Sequence, residues 1–212
     1  MYGCPCPGDH TYGRLEGSAI TVTDIAISHK APVPATPHDE PARLSAVRRY
    51  DILDTPAEGS FDRIAALAAR CLDAPIGMVT IVDHDRIWCK ARFGLEVEEL
   101  ERASGFCTSA IFQADPYVVL DASLDPRFLT NRLVAEEFGM RFYAAAPIVT
   151  HDGYRLGTVN VMDRNPREIT QAQMETLQDL AAIVVDALEL RLSARRLLAI
   201  QKSWHSSGRH SN

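Results

Sequence analysis

The sequence predicts an α+β domain built on an antiparallel sheet. Two hairpin signals and two helix starts carry that reading. Apolar runs over 76–82 and 87–93 meet at the polar turn Asp83-His84-Asp85, and runs over 141–149 and 155–162 meet at Asp152-Gly153. Short turns of this kind join antiparallel neighbours, whereas parallel strands need long crossovers. Thr55-Pro56-Ala57-Glu58 and the pair Thr170 and Gln173 have the spacing of capping boxes, which open helices on either side of the strands.

Length and charge narrow the function classes. The 212 residues suit one domain with tails, or at most two small ones. Hydrophobic residues are 46% of the chain, enough for one buried core. The net charge is −6 with scattered acids, which argues against a nucleic-acid surface, since that needs clustered Lys and Arg. No apolar run is long enough to span a membrane, and no secretory signal opens the chain. Cys71, Cys89 and Cys107 sit in apolar contexts, as expected of reduced thiols in a cytoplasm.

Taken in order, residues 1–40 read as a flexible segment. Ala31-Pro32-Val33-Pro34-Ala35-Thr36-Pro37 is extended, and 20–27 either pairs as a strand or stays disordered. The folded domain is expected over 41–200. Leu44, Val47 and Leu53 suggest a short helix over 41–53. The Thr55 box should start a second helix, with Phe61, Ile64, Leu67, Ala68 and Cys71 on its apolar face. After the first hairpin come a short helix over 107–112, a strand over 118–120, and a loop with helical turns over 125–137. The second hairpin follows. The Thr170–Gln173 box then opens a helix over 171–200, with Ile169 stapled onto Met174. Residues 201–212 read as a disordered tail.

That last helix carries two apolar stripes. Met174, Leu177, Ala181, Val184 and Leu188 form one, which stops where Arg191 and Arg195 would continue it. Leu180, Ile183, Ala187, Leu190, Ala194 and Leu197 form the other, at alternating spacings of three and four. One stripe packs on the helix's own sheet. The second either meets another copy in a homodimer or is covered by the second helix of the same chain.

Several residues could carry chemistry. Cys107 opens a short helix, where a thiol can have a lowered pKa suited to redox sensing; the lack of an adjoining basic partner favours instead a small buried side chain lining a pocket or core. Strand alternation turns Trp88 and Lys90 one way and Cys89 the other. A Cys89–Cys107 disulfide needs Cα atoms within about 7 Å, a spacing the sequence does not specify. Asp125 and Arg127 read either as pocket groups or as a loop bonded to itself. Arg141 and Tyr143 share a face and could offer a cation and an aromatic wall. Cys4, Cys6 and His10 lack a second ligand pair at zinc spacing. His84 and His151 are expected in exposed turns.

Five segments together resemble the GAF domain, in the form found ahead of bacterial histidine kinases and diguanylate cyclases. They are Tyr50-Asp51-Ile52-Leu53-Asp54-Thr55-Pro56, Val82-Asp83-His84-Asp85-Arg86-Ile87-Trp88, Phe106-Cys107-Thr108-Ser109-Ala110-Ile111, Asp125-Pro126-Arg127-Phe128 and Arg141-Phe142-Tyr143-Ala144-Ala145-Ala146-Pro147. Gly157-Thr158, Asp163 and Pro166-Arg167 continue the pattern, and the resemblance covers residues 43–195. It departs at Cys89, where the pattern has a larger apolar residue.

The resemblance implies terminal helices on one sheet face, a ligand pocket on the other, and dimers through those helices. The pocket is then expected between the sheet and residues 106–131. Trp88, Phe106, Cys107, Asp125, Arg127, Arg141, Tyr143 and Thr158 are its candidate ligand-binding residues, and an aromatic wall with one cation suits a small planar or anionic ligand. No cofactor is identifiable, because the signatures of the cyclic-nucleotide, haem, bilin and iron subclasses are not evident. The expected function is a non-enzymatic sensor of a small molecule or of redox state. No kinase, cyclase or DNA-binding motif follows the last helix; if this is the whole protein, output through a signalling partner in trans or by a different mechanism is expected. Two alternatives stand beside it: a thiol-dependent free methionine-(R)-sulfoxide reductase using Cys71, Cys89 and Cys107, and a ligand-free dimerisation module.

Overall fold

The computed structural model describes residues 19–20, 39–102, 105–113, 115–136 and 138–207, with side chains described over 39–202 of these. Most of the N-terminal segment, the Cys4-Pro5-Cys6 cluster and residues 208–212 lie outside the described residues.

The elements run β1 (Ala19–Ile20), α1 (Glu40–Tyr50), α2 (Gly59–Cys71), β2 (Ile76–Val82), β3 (Arg86–Phe93), β4 (Glu99–Glu101), α3 (Phe106–Ala110), β5 (Tyr117–Val119), a 3-10 turn over Ala122–Leu124, α4 (Arg132–Ala135), β6 (Phe142–Val149), β7 (Arg155–Asp163), β8 (Ile169–Thr170) and α5 (Gln171–Ser207). Six strands form one sheet in the order β4-β3-β2-β7-β6-β5. Every pairing in it is antiparallel, so the predicted α+β class holds. A separate ribbon pairs β1 with β8.

Each face of the sheet has its own core. On one, α1, α2 and α5 cover Val79, Ile81, Ala91, Ala144, Ala146, Val159 and Val161. On the other, α3, the 3-10 turn and α4 cover Met78, Cys89, Tyr143, Ala145 and Met162. Alternation along β6 and β7 divides the two sets, as period-two geometry requires. Gly77 sets the spacing of the helix layer: a Cβ there would lie 2.2 Å from the Ala65 carbonyl oxygen of α2. At the tip of the β6–β7 hairpin, Gly153 takes φ 86°, which L side chains rarely adopt. Next to it Asp152 takes two bonds from Arg49, at 2.7 and 2.8 Å.

The first predicted capping box does not form. The helix begins at Gly59 and its start has no side-chain cap. The Thr55 hydroxyl donates to the Ile52 carbonyl at 2.6 Å and accepts from Lys90 Nζ at 2.8 Å. Glu58 is drawn to Lys90 and Arg191. A buried lysine claims both members of the box, so tertiary contacts override the local motif. Leu67 and Cys71, expected on the apolar face of α2, are exposed.

The second box does form. Gln173 N donates to Thr170 Oγ1 at 3.2 Å, and Thr170 N to Gln173 Oε1 at 2.9 Å. The helix continues to Ser207, past the predicted end at 200. Leu177, Ala181, Val184 and Leu188 are buried as expected. Leu180, assigned to the second stripe, belongs to the core, because α5 lies flat on β6 at that depth. Ala187 also packs partly against the core. Ile183, Leu190 and Leu197 are 50%, 73% and 68% exposed, and Ala194 is exposed, so among the described residues nothing covers this part of the stripe.

Candidate functional site

The second face of the sheet carries a polar row inside an apolar layer. Thr80 of β2 stands opposite Thr158 of β7, and their hydroxyls lie 2.9 Å apart. Asn160, one step along β7 on the same face, donates from Nδ2 to Thr158 Oγ1 at 2.9 Å and approaches Thr80 Oγ1 at 3.4 Å. All three side chains are fully buried. Above them lies Cys107 of α3, whose sulfur accepts from the Tyr143 hydroxyl at 3.2 Å. Asn160 Oδ1 is buried with no partner. Leaving a buried polar atom unpaired costs about 1–3 kcal/mol, so this atom requires a reason.

These residues border a cavity lined by Thr80, Cys107, Tyr143 and Asn160 with the apolar Met78, Ile87, Leu100, Phe106, Leu133 and Met162. Its volume is about 10 Å³, near the least that holds one water. Among the described residues, no acid, lysine, arginine or histidine lines it. Phe106 stacks on Phe128 with ring centres 3.9 Å apart and leans on Tyr143 at 5.2 Å, which forms the aromatic wall.

Three predicted ligand residues therefore meet at the cavity: Phe106, Cys107 and Tyr143. Thr158 lies directly behind them in the polar row. Trp88 does not join them. It packs against the helix-side core with Arg86 over its ring at 5.5 Å. The predicted alternation is correct, but the face assigned to Trp88 is not, because Cys89 is the residue turned to the pocket side.

Arg141 is on the pocket side but donates to the Val134 and Met140 carbonyls at 3.2 and 3.0 Å. Through Nη1 it ties α4 to the sheet, and it does not line the cavity. Asp125 and Arg127 close their own loop: Asp125 accepts from the Arg127 backbone at 3.0 Å and from its guanidinium. His84 and His151 are exposed. Reading β7 with period two would have found Asn160, since it shares a face with Thr158 and Met162 between the core residues Val159 and Val161.

The two buried thiols, Cys89 and Cys107, are held protonated. Burial pushes Cys89 up to about 12, and burial also raises Cys107 despite hydrogen bonds from Tyr143, Thr80 and Thr158. Both are free thiols. At five residues, α3 is too short to supply the helix-end field invoked for Cys107. Among the described residues, no group of three or more His, Cys, Asp or Glu is placed to hold a metal. No helix among them is long and apolar enough to cross a membrane.

Comparison with known proteins places this architecture. The GAF domain family model matches residues 56–188. A cyclic di-GMP phosphodiesterase of Pseudomonas aeruginosa is 37% identical over 153 residues, which is 72% of this chain and 26% of that protein. The chain thus spans about a quarter of that relative's length. Among solved structures, the GAF domain of an Acinetobacter phosphoenolpyruvate-protein phosphotransferase aligns with TM-score 0.54 and 19% identity, over 70% of this chain and 93% of that one. A free methionine-R-sulfoxide reductase of Neisseria meningitidis aligns with TM-score 0.51 and 20% identity, over 74% and 88%. With the matched model spanning most of the sheet, both hairpins and the start of α5, the chain belongs to the GAF domain family.

Proposed function

We propose that this GAF domain is a cytoplasmic sensor module for a small, neutral, largely apolar molecule bearing a hydrogen-bond donor. The observation that carries the reading is the buried Asn160 Oδ1, an acceptor without a partner on a cavity wall. The described wall offers no charged group, and burying an unpaired charge is far costlier than burying a polar group. An anionic ligand is therefore disfavoured, contrary to what Arg141 suggested from sequence. The small cavity means that the ligand enters as the segment carrying Phe106 and Leu133 moves outward. Binding then shifts the population toward the opened arrangement.

Catalysis by Cys89 and Cys107 is disfavoured by their burial, since the thiolate is the reactive form. The signal leaves through α5, whose exposed Ile183, Leu190 and Leu197 suit a homodimer. The relative's name supports a role beside cyclic di-GMP turnover, with the domain in the subfamily that precedes bacterial kinases and cyclases, or a partner acting in trans.

The tight cavity favours a second reading: a dimeric interaction module that keeps the fold without a ligand. Native mass spectrometry of freshly purified protein separates the two. The sensor reading expects a retained mass that Asn160→Leu abolishes. Wild-type protein with no retained mass, and no melting shift across a library of neutral amides and heterocycles, would sink it in favour of the module.

A further inference from the structure

The strand β3 contains a bulge. Val79 pairs with Ala91 and Thr80 with Cys89, which leaves Lys90 as the extra residue. A bulge turns two neighbouring side chains the same way. Lys90 and Ala91 both face the helix layer, while Cys89 faces the pocket side. The residue opposite Cys89 is Thr80, which lines the cavity. The pocket floor and the bulge are therefore one piece of backbone ladder.

Lys90 is 4% exposed, and its three protons are fully used. They go to Thr55 Oγ1 at 2.8 Å, the Pro56 carbonyl at 2.7 Å and Glu58 Oε1 at 2.9 Å. The same Glu58 oxygen receives Arg191 of α5. One carboxylate oxygen thus joins a cation from the sheet to a cation from the output helix. A turn later, Arg195 reaches the Tyr50 carbonyl at 3.0 Å and Asp51 at 2.5 Å, and Tyr50 donates to Glu189 at 2.5 Å. After Leu192, the described side chains of α5 are all exposed. The connection between α1 and α2 grips the helix at the last point before it leaves the body.

We propose that Lys90 is the positioning residue that transmits the state of the pocket to α5. A shift of Thr80 and the bulge moves Lys90, which repositions Glu58 and so the grip on Arg191. This rests on the sensor reading given above. Coupling of this kind requires an element biased from both ends and is measured by a double-mutant cycle. Filling the pocket floor by Asn160→Leu serves as the probe in place of a ligand.

The test is amide hydrogen exchange over residues 189–200 of the full chain in wild type, N160L, K90M and K90M/N160L. E58Q and E58Q/N160L run in parallel in case K90M folds poorly. N160L is expected to change exchange there about threefold to tenfold, a response lost in the K90M and E58Q backgrounds. Global stability is measured in each variant, so a merely structural lysine would lower stability without removing the response. An α5 response of equal size in K90M and E58Q overturns the proposal, as does no α5 response to N160L in wild type. A retained mass abolished by N160L, with α5 unmoved, ends the coupling and leaves the sensor reading standing. A Lys90-dependent response in protein that never retains a mass ends the sensor reading and keeps the coupling.

Discussion

The Tyr143 hydroxyl donates a hydrogen bond to the sulfur of Cys107 across 3.2 Å, with both side chains buried in the pocket-side core. The thiol is therefore a hydrogen-bond acceptor in a packed aromatic wall, and burial holds its proton on. Cys71, by contrast, is exposed. Treating folded protein with a thiol reagent and mapping the adducts by mass spectrometry should label Cys71 quickly, and Cys89 and Cys107 only after unfolding. Rapid labelling of Cys107 in the folded state would restore redox sensing as a candidate function.

The same burial makes stability depend on pH. Cys89, pushed up to about 12, and Cys107 are protonated in the fold more firmly than in the unfolded chain. Their contribution is fully present below the unfolded thiol value of about 8.5 and is lost as pH rises toward the folded value. At the acid end the sign reverses. Burial pushes Glu58 up, but Lys90 and Arg191 outweigh it and hold the carboxyl below its ordinary range; Glu40 behaves likewise with Arg43 and Arg102. Their contribution is present above about pH 4.3 and falls away as pH drops. Melting temperature should therefore be flat near neutrality, falling below about pH 4 and above about pH 9. A maximum at either extreme would contradict these assignments.

Replacing Lys90 by Met should destabilise the domain. The methionine fills the space but leaves Thr55, the Pro56 carbonyl and Glu58 short of a donor. Breaking a buried pair costs about 3–5 kcal/mol. Glu58 is partly solvated, with a side chain 34% exposed, so about 2–3 kcal/mol is expected in urea unfolding. A change below about 0.5 kcal/mol, the range of ordinary surface substitutions, would show that the network is not integral to the fold.

Helix α5 makes a paired prediction. Ile183→Glu with Leu190→Glu should keep the fold and yield a monomer in light scattering at concentrations where wild type is a dimer. Leu180→Glu should unfold the domain, because Leu180 is 6% exposed and part of the core. A wild-type mass that stays monomeric across concentration would end the dimer proposal.

Legibility from sequence followed the range of the forces involved. Local signals held: the Thr170–Gln173 box, the Gly153 turn and the alternation of Trp88 against Cys89 all depend on residues within a few positions. The Thr55–Glu58 box failed because Lys90, 32 residues from Glu58, took both members. Leu180 was misplaced because two apolar stripes on one helix look alike until the sheet beneath it is known. Arg141 and Trp88 were misassigned for a related reason: side-chain type does not say which face of a sheet is the pocket, or whether a guanidinium is already taken by a carbonyl. Thr158 was found, and Asn160 two residues on was missed, though the same periodicity holds both.

Asn160 gives the sharpest test of whether the pocket exists for a ligand. Its Nδ2 bonds Thr158 at 2.9 Å, while Oδ1 has no partner. Replacement by Leu removes that bond, worth about 1 kcal/mol, with the longer contacts of Nδ2 to Thr80 Oγ1 at 3.4 Å and Cys107 Sγ at 4.0 Å, and relieves an orphan acceptor costing about 1–3 kcal/mol. Thr80 and Thr158 still satisfy each other. If Asn160 is retained for binding at the expense of stability, N160L should melt at or above the wild-type temperature, by up to about 2–4 °C, and lose any retained mass. If Asn160 is purely structural, N160L should fall by a comparable amount with no ligand to lose. Differential scanning calorimetry read beside native mass spectrometry separates these outcomes, since a gain in stability together with loss of a retained mass is expected only if the polar group is kept for binding.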